Sequence, residues 1–197
     1  MITAILLAAG AARRFGAQKL LQVLPDRRLV VEAAARPLVA ACGRVIAVTR
    51  DDPAVMHVLR AVGCEIVVNE RAEEGMGTSI AAGVASMIDC GEQCEGWLVA
   101  LGDMPFIKPA TLDALLGAGE AKTHIVVPVF NALRGHPVRF PGLLSDELAA
   151  LHGDRGARQL IDRHRERLIA LPVDDSGVVA DIDTPEDFAR LLAQRRR

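Results

Sequence analysis

Two glycines, two cations and an aspartate carry the chemical signal in this chain. Gly10 and Gly16 bracket a segment containing Arg14, and Lys19 lies three residues beyond Gly16. Glycines at such a turn let backbone N–H groups approach an anion. Arg14 and Lys19 add fixed positive charge at the same place. The small side chains of Ala8, Ala9, Ala11 and Ala12 leave room for a ligand against the backbone. Together these are the parts of a triphosphate site. It is not a P-loop, because five residues separate Gly10 from Gly16 and no Lys directly follows Gly16. Nor is there a GxGxxG dinucleotide fingerprint. Two further stretches invite attention. In Glu74-Gly75-Met76-Gly77-Thr78-Ser79 the glycines permit a tight turn into a helix with outward-facing amides. Thr78 and Ser79 either cap that helix or meet a ligand. Gly102-Asp103-Met104-Pro105 places a carboxylate where phosphates would lie. Mg²⁺ is usually held by one or two carboxylates plus phosphate oxygens, which makes Asp103 the first choice of metal ligand. The plainer reading is a turn residue bonding its own backbone ahead of the proline.

The elements that must position these groups alternate regularly. Strands are expected at Ala4–Ala8, Arg44–Thr49, Glu65–Asn69, Trp97–Leu101, His124–Val129 and Arg167–Val173. Helices are expected at Leu29–Cys42, Pro53–Val62, Thr78–Ile88 and Pro109–Leu116, then near Leu143–Leu151 and Ala157–His164. A last helix opens at Thr184-Pro185, with Thr184 as N-cap. A loop and a short strand fill Asn131 to Phe140. The alternation predicts right-handed crossovers and a single domain over residues 1–197. The fold class is α/β: a three-layer, Rossmann-like, mostly parallel sheet with helices on both faces. Ligands of such sheets bind at the carboxyl ends of the strands. That rule selects the loops Ala9–Lys19, Asn69–Ser79 and Gly102–Pro105.

Composition narrows the function classes. The chain has 197 residues, 51% hydrophobic and only 3% aromatic, with no Tyr. A core of Ala, Val, Leu and Ile suits a sheet covered on both faces. It suits a single-strand nucleic-acid binder poorly, because base stacking needs aromatic platforms. The 23 Lys and Arg against 25 Asp and Glu give a net charge of −2, so no global field draws the protein to nucleic acid or an anionic membrane. Cys42, Cys64, Cys90 and Cys94 form no CxxC pair and read as free thiols in a reducing compartment. The apolar start lacks a positive n-region and no run approaches membrane-spanning length, so a cytoplasmic protein is expected.

The opening segment resembles the MobA-like nucleotidyltransferase family, and within it the molybdenum cofactor cytidylyltransferases. The match runs through Leu7-Ala8-Ala9-Gly10, then Arg14, Phe15, Gly16 and Lys19-Leu20-Leu21. Gly102-Asp103-Met104-Pro105 and Asp181-Ile182-Asp183-Thr184-Pro185 also match, and the resemblance covers Ile5 to about Phe188. It implies a nucleotide-diphospho-sugar transferase type of fold. It implies a nucleotide site built from Leu7, Ala8, Ala9, Gly10, Arg14 and Lys19, with Gly77 and Ser79 reading the base. The guanylyltransferase branch carries a second Gly where this chain has Ala9. The resemblance therefore implies CTP, and a methyl group there would narrow the base pocket. Asp103 would bind Mg²⁺ together with Asp181, with Asp183 as substitute. His136, in Arg134-Gly135-His136-Pro137-Val138, and Arg158, in Gly153-Asp154-Arg155-Gly156-Ala157-Arg158, would border the acceptor. One departure is Pro25-Asp26-Arg27-Arg28, where the family often has a Gly-rich turn that shapes the acceptor pocket.

The implied reaction is attack of a molybdopterin phosphate oxygen on the α-phosphorus of Mg–CTP, with pyrophosphate leaving. Lys19, Arg14 and Asp103 would be the catalytic groups, neutralising charge rather than moving protons. Two rivals stand beside it. One changes the acceptor to a sugar phosphate, phospholactate or methylerythritol phosphate, or the donor to GTP. The other is a non-catalytic carrier that delivers the pterin cofactor to a molybdenum hydroxylase apoenzyme.

Overall fold

The computed structural model describes residues 1–10, 15, 18–88, 94–153 and 156–194. Strand β1 (Ile2–Ala8) is flanked by β2 (Val45–Thr49) and β4 (Gly96–Leu101), and β3 (Glu65–Val68) lies outside β2, all parallel. Helices α1 (Val30–Cys42), α2 (Pro53–Val62) and α3 (Met76–Ile88) make the crossovers. Each is punctuated as the sequence dictates. Asp52 caps α2 through the amides of Ala54 and Val55, and Gly43 and Gly63 end α1 and α2 with positive φ.

The period-two alternation of β1 separates two cores. Ala4, Leu6 and Ala8 face one cluster, packed by α1, α2 and α4 (Pro109–Gly117). Ile5 and Leu7 face the other, packed by α3, α5 (Ser145–Ala149) and α6 (Gly156–Arg163). Burying one Leu or Ile is worth about 1.5–3 kcal/mol. A one-residue slip of β1 would invert both sets, so its register is fixed. Gly83 of α3 sits so near the sheet that a Cβ would lie 3.0 Å from Ile5 and from Val48. The three-layer α/β architecture expected from the alternation is present.

The far half of the sheet is mixed. In place of the one short strand expected within residues 131–140 there are two, β6 (Leu133–Arg134) and β7 (Val138–Pro141). Antiparallel β7 lies between β4 and β5 (Ile125–Phe130), and β8 (Leu168–Pro172) pairs parallel with β5. Arg139 of β7 is fully buried and donates to the carbonyls of Leu116 and Ala118, satisfying the end of α4. The helix expected at Leu143–Leu151 is shorter, a 3-10 turn at Gly142–Leu144 leading into α5.

The last segment returns across the carboxyl edge. Buried Asp175 accepts from the amide of Lys108 and the hydroxyl of Thr111, and His136 N–H donates to Val178. Ile182 N–H then donates to the Asp103 carbonyl at 3.1 Å. Thr184 caps α7 (Pro185–Gln194) by a reciprocal pair of bonds with Asp187. Helix α7 closes a third apolar cluster in which Phe188 meets Phe15 edge to face at 6.4 Å. Cys42 and Cys64 are free, and burial pushes each thiol up to about 11. Cys90 lies outside the described residues. No helix among the described residues is long and apolar enough to cross a membrane.

Candidate active site

A cavity of ≈ 360 Å³ opens at the carboxyl ends of β1, β2 and β4. That volume lies within the range of small-molecule sites, roughly 300–1,000 Å³. One wall is Leu7, Ala8, Ala9 and Gly10, where β1 stops. Gly10 has no positive φ, and a Cβ built there would meet nothing within 4 Å among the described residues. Strain does not require glycine at this point; what its small size leaves is open space over the strand end. Facing that wall are Lys19, on a 3-10 turn (Lys19–Leu21), and Asp103, just past β4.

Lys19 is the centre of the charge arrangement. It is buried, yet its Nζ donates to Asp103 Oδ2 at 2.7 Å and to Asp183 Oδ1 at 3.2 Å. Burial disfavours the charged lysine, but the two carboxylates outweigh it and raise its pKa above the ordinary lysine value. An ammonium has three donors, so among the described residues one remains for a ligand oxygen. The Ile182 amide bond to Asp103 brings Asp181 and Asp183 to this point from the end of the chain. Asp183 reaches Lys19. Asp181 makes no bond to it; partial desolvation, with the charges of Asp183 and Asp103, holds Asp181 above the usual carboxylate range.

The other expected positions distribute as follows. Ser79, at the start of α3, is buried and lines the cavity. Gly77 does not line it: a Cβ there would lie 2.7 Å from the Gly153 carbonyl, to which Gly77 N–H donates. Gly77 thus allows α3 to meet the 152–153 turn rather than facing a base. His136 is half-buried, its buried Nδ1 has no hydrogen-bond partner among the described residues, and burial lowers its pKa against a hydrogen bond with the Val99 backbone and the pull of Asp103 and Asp181. It follows a pairing with Val178 and precedes a cis peptide to Pro137, outside the cavity wall. Arg158 is exposed on α6. Arg14 and Gly16 lie outside the described residues.

Two contributors escaped the sequence reading. Arg50 lines the cavity, its Nε 2.6 Å from the Ala9 carbonyl and its Nη1 3.1 Å from Glu73. It is the first residue beyond β2, so the carboxyl-edge rule applied to that loop would have found it. Asn69 bonds Ser79 from beneath. Asp183, expected only as the substitute for Asp181, is the carboxylate that joins Lys19.

Among the described residues, no group of three or more His, Cys, Asp or Glu gathers as a metal cage. A divalent ion here would be shared between the Asp103–Asp183 pair and a substrate's phosphates. A hard-oxygen donor set of that kind fits Mg²⁺.

The family described as MobA-like NTP transferase domain matches residues 4–168. A curated relative named nicotine blue oxidoreductase, from Paenarthrobacter nicotinovorans, is 32% identical over 201 residues, covering 97% of this chain and 96% of that one. The crystal structure of Rv0371c from Mycobacterium tuberculosis H37Rv superposes with a TM-score of 0.82 at 32% identity, covering 98% and 97% of the two chains. The same protein has been solved in complex with manganese. CMP:2-keto-3-deoxy-manno-octonic acid synthetase complexed with CTP, at 13% identity, shares the fold alone, with a TM-score of 0.73 over 99% and 98% of the chains.

Proposed function

The chain belongs to the MobA-like NTP transferase family, and we propose that it transfers CMP from CTP to the phosphate of molybdopterin or its molybdenum-loaded form, releasing pyrophosphate. The observation that carries this is the Lys19–Asp103–Asp183 cluster set against the open Ala8-Ala9-Gly10 wall. Buried positive charge beside a carboxylate pair suits nucleotidyl transfer, in which little covalent work falls to the protein. An acceptor phosphate oxygen attacks the α-phosphorus, a new P–O bond forms, and the bond to the pyrophosphate oxygen breaks. The attacking oxygen is already anionic, so no proton has to be removed.

Lys19 supplies a mobile cation for the developing charge, a role shared with Arg14. Asp103 and Asp183 would hold Mg²⁺, which supplies charge neutralisation on the phosphate oxygens. Ala9 supports CTP over GTP: it is buried and lines the cavity, and a methyl there leaves less room for a purine than a glycine would. Leu7, Ala8, Gly10 and Ser79 complete the nucleotide contacts. His136 and Arg158 belong to the acceptor side, Asp181 remains near the metal, and a molybdenum hydroxylase apoenzyme is the recipient of the product.

The test is pyrophosphate release with CTP or GTP across molybdopterin, a sugar phosphate, phospholactate and methylerythritol phosphate. Release with CTP and molybdopterin alone is expected. Release with GTP, or with another acceptor only, overturns the specific reading while leaving the reaction class. The P. nicotinovorans relative is named as an oxidoreductase. A reductant-oxidation assay therefore runs in parallel, and activity there without pyrophosphate release sinks the proposal.

A further inference from the structure

Ser79 lies beneath the cavity with its Oγ 3.0 Å from Asn69 Nδ2. The same nitrogen lies 3.0 Å from Thr78 Oγ1. Asn69 is itself buried, just beyond the carboxyl end of β3. The backbone decides which way its amide faces. Arg71 N is 2.9 Å from the other amide atom. A backbone N–H only donates, so that atom must be the carbonyl oxygen Oδ1. The two hydrogens of Nδ2 are left to point at two hydroxyl oxygens, one each. Both hydroxyls therefore accept from Asn69. Thr78 has carbonyls for its own hydrogen, those of Arg71 and Gly75, each at 2.9 Å. For Ser79, Asn69 is the only partner among the described residues. Its hydrogen is left for whatever fills the cavity.

We infer that Asn69 is a positioning residue that fixes Ser79 as a hydrogen-bond donor to the base of the bound nucleotide. This rests on reading the cavity as the nucleotide site. A serine hydroxyl alone is ambivalent and serves either polarity by rotation. With Asn69 on its acceptor side, Ser79 matches a base edge that presents an acceptor. Ring N3 and O2 of cytosine are acceptors, whereas N1–H and the exocyclic amine of guanine donate. The hydroxyl that pairs with cytosine N3 or O2 opposes N1–H and the exocyclic amine of guanine, leaving O6 as the one acceptor on that edge. A buried donor facing a donor loses on the order of ten- to a hundredfold in affinity. Selection for CTP then has two sources: the space taken by the Ala9 methyl and the polarity imposed through Asn69.

One nearly isosteric change reverses the polarity. In Asn69→Asp, one carboxylate oxygen keeps the Arg71 N–H and the other accepts from the two hydroxyls, turning the Ser79 hydrogen away from the cavity. Affinities for CTP and GTP, each with magnesium, are measured by titration calorimetry on the full chain. Asn69→Asp is expected to weaken CTP about tenfold or more and to narrow the CTP preference over GTP. Ser79→Ala should weaken CTP comparably. The double variant should be no weaker than Ser79→Ala, because the effect passes through that one hydroxyl. A general disturbance of the loop would instead add to it. The inference fails if Asn69→Asp binds CTP within about threefold of the parent while Ser79→Ala is impaired, or if the double variant shows the product of the single losses. Ser79→Ala with unchanged CTP affinity fails the nucleotide reading of the cavity instead. Should Asn69→Asp not fold, Asn69→Ala is titrated. It frees the hydroxyl to rotate, and an unchanged CTP/GTP ratio overturns the proposal.

Discussion

β4 runs between two hollows of opposite character. At its amino end Trp97 is buried beside a groove of ≈ 910 Å³ rimmed by Met1, Leu143 and Lys122. The ion pairs there, from the amino terminus and Lys122 to Glu95, sit at the surface. At its carboxyl end Asp103 faces ≈ 360 Å³ of space, with a buried lysine clamped between two carboxylates. Volume alone would choose the amino end. Parallel strands deliver their carboxyl termini, and the loops after them, to one edge, so residues from far apart converge there. The groove at the amino edge mixes apolar side chains such as Met1, Ile88 and Leu143 with exposed charges on Glu95, Lys122 and Asp146. Surface pairs such as those on Glu95 contribute little, whereas a buried cation must be matched or it destabilises the fold.

Removing charge at the carboxyl end should have the largest effect. Lys19→Ala and Asp103→Asn should each lower turnover at least a hundredfold, about 2.7–4 kcal/mol in the transition state, with the far-ultraviolet circular dichroism retained. Near-normal rates in both would end the assignment. Next, Arg50→Ala should raise the KM for the nucleotide about three- to tenfold, with a smaller change in kcat. It releases the Ala9 carbonyl without touching Lys19. An unchanged KM would mean that Arg50 is only a wall.

The amino end should respond in stability and not in rate. Trp97→Phe loses the indole bond to Ser145 and leaves a void, costing about 1–3 kcal/mol in denaturant unfolding. Its turnover should stay within about twofold of the parent, and a larger drop would show that the two ends are coupled. The smallest effect is expected at Asp181. Its raised pKa means the folded state prefers the protonated form. That contribution to stability is fully present below the unfolded value of 3.8 and is lost as pH rises through the folded pKa. Asp181→Asn should therefore raise Tm by about 1–2 °C at pH 7 without added divalent ions, and leave it unchanged near pH 3. A decrease at pH 7 would show that Asp181 has a partner it needs.

Much of this edge was legible because its signals are local. Strand ends, glycine turns and the Asp103 position follow from short windows of sequence. The helix Pro53–Val62 is present over the residues expected, because Asp52, Pro53 and Gly63 punctuate it unambiguously. What stayed hidden depends on distant partners. Nothing near Asp181 or Asp183 tells which one meets a lysine 164 residues away from Asp183; the Ile182–Asp103 backbone bond decides it. Gly77 has the composition of a ligand-facing turn, yet its α-carbon is claimed by the 152–153 backbone. The antiparallel insertion of β7 leaves little trace in a four-residue strand, and its anchor is a buried Arg139 that a sequence reading places on the surface.

The closing segment has a consequence in time. Lys19 and Asp183 are 164 residues apart. A ribosome adding about 5–20 residues per second takes roughly 8–33 s to make that stretch. β1 to β4, with Lys19 and Asp103, are synthesised well before the second carboxylate exists. Lys19 and Asp103 must wait for the returning strap, so the charge cluster is finished late in synthesis. An incomplete chain would carry a recognisable fold without a complete catalytic edge.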